Sequence, residues 1–323
     1  MQTILILVLD GVMDSGLAIA LDTLKAGCAF LSGAGRKDKV RIVTAGYRKR
    51  IQTGAGLRLT ADMTFKEASE SGFKPDWVIV PGAGLTSDKE IGDRFAKSDA
   101  IEAMRLLRGF SKGKAQVSAG CSSVFFLAEA GLLAGRAATT TWWLSHIFRT
   151  RYPDIRLDES KMLVRDGQFL TAGSAFAQLD LALAIVADTM GASIAHLCSR
   201  YLLIDRRPSQ ARYMIQAHIR HMDPTVLAAE RWIDDHILSP ISVASLSSEL
   251  AVSTRTLSRR IQAATGVSPV KFIQRRKLMH AIHLIETTSM SIEAIAAKIG
   301  YQDGTALRKL VKREFGTTPG GLR

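Results

Sequence analysis

The chain has 323 residues, 47% hydrophobic and 23% charged, with 43 Lys and Arg against 30 Asp and Glu for a net charge of +13. That length suits about two or three domains, each burying a core of its own. The longest apolar runs, 4–9 and 181–186, are closed by Asp10 and Asp188, far short of the roughly 20 residues that span a bilayer, and three widely spaced cysteines suggest neither a disulfide framework nor a metal knuckle.

The N-terminus carries no basic leader, so a cytoplasmic protein without signal peptide, metal or cofactor is expected. Charge is uneven along the chain. Residues 1–199 hold 24 Lys and Arg against 20 Asp and Glu, whereas residues 200–323 hold 19 against 10. The denser basic charge at the C-terminal end suits a polyanion partner, although a solvated basic surface gives the same count.

In the first two hundred residues, apolar runs at 4–9, 40–45, 76–84, 115–119 and 136–141 read as strands. Helical periodicity lies between them at 16–30, 88–109, 122–130 and 143–152. Such alternation predicts a parallel sheet covered by helices on both faces. A hairpin is expected over 162–173 with Asp166-Gly167 as its turn, then a helix over 174–190.

Ligands of open α/β sheets sit at the carboxyl ends of the strands. This rule gathers residues 10–15, 81–85 and 120–123 around one crevice. Cys121 follows a strand and opens a helix, where free N–H groups and the helix dipole favour a thiolate. Asp14, Gly82, Ala83, Gly84, Cys121, Ser122, Thr141 and Trp142 are the candidate pocket residues. Trp142 and Trp143 would either wall an apolar pocket or stack on a cationic ligand.

These residues carry a resemblance. DWVIVPGAG, AGCSSVFFLAEAGLLAGRAATTTWW and DGQFLTAGSAFAQLDLAL resemble the ThiJ/PfpI-like, class I glutamine amidotransferase-like domain of GlxA-type regulators. The resemblance implies a flavodoxin-like parallel-sheet sandwich over residues 1–200, acting as a sensor and homodimerisation domain. Enzymes of that superfamily pair a Cys at the elbow with a nearby His. Here the position expected for the His is Thr141, and a Cys nucleophile needs such a base. His146, Asp14 and Asp22 are the remaining nearby candidates. Cys121 is therefore weighed as a ligand-lining or redox-sensitive thiol, a structural relic, or a nucleophile.

Residues 201–222 read as a basic connector, part helix and part linker, and 223–323 as an all-helical domain with segments at 224–237, 243–250, 254–264, 270–287, 292–299 and 305–315. Two pairs repeat one pattern: a short helix capped by Ser242 or Ser291, a tight turn at Ala251-Val252 or Gly300, and a second helix, the first of these opened by Ser253. In each second helix Leu257 and Ile261, or Leu307, Leu310 and Phe315, share one face. Ser253, Thr254, Arg255, Ser258 and Arg259, and Thr305, Arg308, Lys309 and Lys312, are the candidate DNA contacts. The helix between the two units is about 27 Å long, set against about 34 Å for one turn of B-DNA.

The stretches STRTLSRRIQAATGVSP, RRKLMHAIHLIE and IAAKIGYQDGTALRKLVKREFGTTPGGLR resemble the AraC/XylS DNA-binding domain, with Leu307 where Phe is more frequent. Together the two resemblances imply a ligand-responsive, sequence-specific transcription regulator, an activator answering to a small amine or amino-acid-related metabolite. Its expected partners are double-stranded DNA, RNA polymerase and a second copy of itself. The alternatives are a cysteine-dependent amidase, hydrolase or glyoxalase-like enzyme at Cys121, or an inert dimerisation module fused to a DNA-binding domain.

Overall fold

The computed structural model describes residues 1–34, 39–70, 72–205, 207, 209–210, 214, 223–301, 303–315 and 317–322. It divides into two compact units, Met1–Gln210 and Ala211–Arg323. Most of the connector expected at 201–222 lies outside the described residues. Ser209 and Gln210, at its start, are buried in the first unit.

The first unit opens with β1 (Gln2–Val8), α1 (Asp14–Gly33), β2 (Val40–Gly46), β3 (Arg50–Gln52), β4 (Arg58–Thr60), β5 (Met63–Thr64) and α2 (Phe65–Glu70). There follow β6 (Trp77–Val80), α3 (Asp88–Phe95), α4 (Ser98–Lys112), β7 (Gln116–Gly120), α5 (Val124–Glu129), β8 (Ala137–Ala138), α6 (Ser145–Arg151) and β9 (Arg156–Leu157). The unit continues through β10 (Leu163–Asp166), β11 (Phe169–Ala172), α7 (Ala177–Met190) and α8 (Ala192–Tyr201). Among the described residues the main sheet has seven strands in the order β10-β11-β7-β6-β1-β2-β5, parallel except for β10 against β11.

The strand residues alternate between two cores, because successive side chains of a strand point to opposite faces. Leu5 and Leu7 of β1 and Val78 and Val80 of β6 pack with Phe125 and Phe126 of α5. Ile4, Ile6 and Val8, with Trp77 and Ile79, pack instead with Leu17 and Leu24 of α1 and Leu181 and Ile185 of α7. Both faces of β1 are thus covered, which is why its sequence is a continuous apolar run. By length and composition the 20-residue α1 could cross a membrane. In this fold it packs against α7 and α8.

The expected hairpin forms, but its two-residue turn is Gly167-Gln168, one residue later than the Asp166-Gly167 expected, because Asp166 still pairs with Phe169; Gly167 takes φ +62 there. Two further expectations need correction. The segment 136–141 contributes only Ala137–Ala138, which pairs with β9 outside the main sheet. The helix expected over 88–109 is two helices, because Arg94 at the end of α3 binds the buried Asp99 in the first turn of α4. Residues five apart lie on different faces of a continuous helix and could not pair that way.

The second unit contains α9 (Pro224–Asp235), α10 (Val243–Glu249), α11 (Thr254–Thr265), α12 (Pro269–Thr287), α13 (Ile292–Lys298) and α14 (Gly304–Phe315). Asp223, Ser242, Ser253, Ser268 and Ser291 each cap a helix by accepting from a backbone N–H, worth about 1 kcal/mol apiece. Pro224 and Pro269 take first-turn positions, where the missing N–H costs no helical bond. Ile233, Leu246, Leu257, Ile261, Ala281, Ile295, Leu307 and Val311 are fully buried in one core that all six helices share.

Candidate functional site

The turn from β7 into α5 is a sharp elbow. Cys121 takes φ +56, in the left-handed region that a non-glycine residue adopts at a cost. Its N–H donates to the Gly173 carbonyl at 2.8 Å, and its own carbonyl accepts from the Thr140 hydroxyl at 2.8 Å. Gly82 is closely packed against it, since a Cβ placed there would lie 3.2 Å from the Cys121 Cβ. The Ser122 hydroxyl accepts from the Leu85 N–H at 3.1 Å, and Ser123 donates to the Pro81 carbonyl at 2.6 Å. The structure therefore brings Gly82, Cys121, Ser122 and Thr141 together.

The other candidates are placed differently. Asp14, at the start of α1, is engaged by the Thr53 hydroxyl and by the Ala55 N–H at 2.8 Å. These bonds hold its carboxyl below the usual carboxylate range. Ala83 is half-buried and Gly84 is exposed. Trp142 is buried and meets Trp143 edge-to-face, with ring centroids 5.3 Å apart. That contact fits wall packing.

The thiol of Cys121 is 2% exposed. Burial pushes its pKa up, opposed by hydrogen bonds from the Ser122 N–H, the Ser122 hydroxyl and the Thr141 hydroxyl. All three are neutral groups, so nothing in the set stabilises a thiolate as a cationic neighbour would. Thr141, whose hydroxyl is one of the three, is fully buried.

Two glutamines escaped the sequence reading. Gln210 is 2% exposed and inserts its amide beside Gly173, binding Ser174 and Thr140. Gln178 of α7 is 1% exposed, lies over Gly120, and has no hydrogen-bond partner at either amide atom among the described residues. The apolar context AQLDLALAIV was the only hint of Gln178. For Gln210, whose partners lie 36 and 70 residues earlier, the sequence holds no local signal. Among the described residues no group of three or more His, Cys, Asp or Glu is placed to hold a metal ion.

In the second unit the two helix-turn-helix pairs are α10–α11 and α13–α14. Leu257 and Ile261 of α11, and Leu307, Leu310, Val311 and Phe315 of α14, are buried. Thr254, Arg255 and Arg259, and Thr305, Arg308, Lys309 and Lys312, are exposed on the opposite faces, with Ser258 half-buried. Ser253 caps α11, its hydroxyl meeting the Thr256 N–H at 3.1 Å and the Thr256 hydroxyl at 2.9 Å. Arg308 donates to Glu293 of α13 at 2.5 Å, which holds the Glu293 carboxyl below its usual range. Both partners are largely exposed, and such pairs are weak.

Comparison with known proteins agrees with this division. The DJ-1/PfpI family matches residues 2–188 and a helix-turn-helix domain matches residues 246–323. The HTH-type transcriptional regulator GlxA of Rhizobium meliloti (strain 1021) is 25% identical over 229 residues, covering 70% of each chain. The HTH-type transcriptional activator RhaS of Escherichia coli O139:H28 is 32% identical over 92 residues, 28% of this chain and 33% of that one. In fold, the first unit is similar to an AraC family transcriptional regulator from Pseudomonas putida, with TM-score 0.51 and 20% identity over 62% of this chain and 100% of that one.

Proposed function

The chain belongs to the DJ-1/PfpI family and ends in a helix-turn-helix domain of the AraC type, and from that premise we propose that it is a ligand-responsive transcription regulator that reads two successive major grooves. The observation that carries this reading is the pair α11 and α14. Each buries an apolar face in the shared core and presents Arg or Lys on the other. An apolar face to hold the helix and a basic face toward bases and phosphates are what a recognition helix requires. The 19-residue α12 between the pairs gives a rod of about 28 Å, close to the pitch of the duplex.

The first unit serves as a sensor rather than an enzyme. Its elbow thiol is buried, its pKa is raised, and its neighbours are hydroxyls. A nucleophile needs a base or a positive neighbour. The effector belongs to the small amines or amino-acid-related metabolites, the protein acts in the cytoplasm as a homodimer through the first unit, and it activates transcription through RNA polymerase. The similarity to a protein named as an activator supports the direction of that effect.

Arg255→Ala and Arg308→Ala provide the test. An Arg paired with guanine O6 and N7 discriminates by about 1–3 kcal/mol at one position, while a phosphate contact lowers affinity for all sequences alike and reduces the salt slope. Titration of operator variants at two salt concentrations is expected to show relaxed preference within one half-site for each variant. Unchanged affinity and unchanged preference in both variants would overturn the assignment of α11 and α14 as recognition helices.

A further inference from the structure

We propose that the hydrogen-bonding groups beside the Cys121 elbow form a primary-carboxamide site that the chain's own Gln210 fills, and that an effector bearing this group takes the place of Gln210. The inference rests on the reading of the first unit as a sensor and narrows its effector to amino-acid-related metabolites that carry a primary carboxamide. The Gln210 Oε1 accepts from the Ser174 N–H at 2.9 Å and from the Ser174 hydroxyl at 3.0 Å. Its Nε2 donates to the Thr140 carbonyl at 3.0 Å and to the Thr139 hydroxyl at 3.4 Å. A backbone N–H only donates and a backbone carbonyl only accepts, so these partners fix which end of the amide is oxygen and which is nitrogen. They also exclude close analogues. A carboxylate would set a lone pair against the Thr140 carbonyl, and an ammonium would set a proton against the Ser174 N–H.

The site is built into the backbone as well as the side chains. A Cβ at Gly173 would run into the Gln210 amide, so the strand end is shaped around that group. The same segment holds the elbow, because Gly173 accepts from the Cys121 N–H and the Thr141 hydroxyl lies 3.5 Å from that of Ser174. Gln178 supplies an independent sign of a missing partner. Its amide is buried over Gly120, the residue before Cys121, with neither atom bonded among the described residues. Native proteins leave few buried polar groups unsatisfied, so an unpaired amide next to the elbow residue is consistent with a ligand group missing there.

Gln210 is the last residue of the first unit, and the chain runs on from it to the second. Its own N–H donates to the Ser160 carbonyl at 2.9 Å, and Ser209 donates to the same carbonyl at 2.8 Å. Exchanging the amide for an external one therefore replaces the contacts that hold the last residue of the first unit at residues 139–140 and 174. That is a difference between two states to which a ligand can bind unequally.

The probe is propionamide, the Gln side chain as a free molecule, used on the full chain without DNA, so that a failure here is separate from any failure of operator binding. In Gln210→Ala the Cys121 thiol should react with methyl methanethiosulfonate faster than in the native chain, and propionamide should restore protection where propionate and propylamine do not. Because the native side chain competes at the high effective concentration of a tethered group, propionamide should bind Gln210→Ala about tenfold or more tighter than the native chain. If Gln210→Ala does not melt cooperatively, hydrogen exchange on the native chain decides: propionamide, and not propionate, should speed exchange of the Gln210 N–H. Equal protection by all three compounds, equal propionamide affinity for variant and native chain, or exchange unaffected by propionamide would each overturn the proposal.

Discussion

At Cys121 two influences on one thiol oppose each other. Removal from water disfavours the thiolate, while hydrogen bonds from Ser122 and Thr141 favour it, and burial is the larger. The left-handed backbone at this residue costs about 1–3 kcal/mol and persists only where its surroundings enforce it. Here the Cys121 N–H bond to Gly173 and the Thr140 bond to its carbonyl do so. The folded-state pKa lies above the ordinary 9.0, so the folded thiol holds its proton after the unfolded one has lost it. The contribution is therefore neutral below that value, and stability declines as pH rises through it. Thiol modification of the native chain should keep rising beyond pH 9.0, whereas a plateau near neutrality would identify an activated nucleophile. Cys121→Ala should change operator affinity by less than about threefold, or roughly 0.6 kcal/mol, as measured by fluorescence anisotropy. The elbow was legible because it falls within a short motif. Gln210 was not, since only tertiary folding brings it to residues 139–140 and 174.

The helical elements of the second unit were legible almost to their ends, because Ser242, Ser253 and Ser291 mark starts that the backbone itself requires. The first unit was legible where β1, β2, β6 and β7 are long apolar runs. It was less so at β3 and β4, three residues each, too short to display a period. The break between α3 and α4 depended on the Arg94–Asp99 pair, which periodicity does not register. Among these elements α12 is the one on which two-groove reading depends. Ala281 lies at its middle and is fully buried. Replacing it with Pro removes a backbone bond, brings the ring against the preceding turn, and should cost about 3 kcal/mol or more. Ala281→Pro should abolish specific operator binding while the melting of the first unit, followed by calorimetry, stays where it was. Retained specific binding would mean that the two helix-turn-helix pairs act independently.

At the scale of the whole molecule, the uneven charge read from the sequence acquires a location. Arg255, Arg259, Arg308, Lys309 and Lys312 stand exposed on two helices of one compact unit. The other unit carries the closed elbow with Gln210 lodged beside it. Charge density along the chain pointed to the basic end, but it could not say which lysines and arginines face outward. That was decided by the burial of Leu257, Ile261, Leu307 and Val311. In the proposed reading, one chain places two recognition helices in successive major grooves. The most direct measurement is selection of binding sites from random DNA by the full chain, followed by hydroxyl-radical footprinting of the selected duplex. Two-groove binding should enrich a bipartite sequence whose two protected patches lie about 10 base pairs apart on one face, with affinity falling steeply as salt rises. No enriched sequence, or a single protected half-site unaffected by Arg308→Ala, would contradict it.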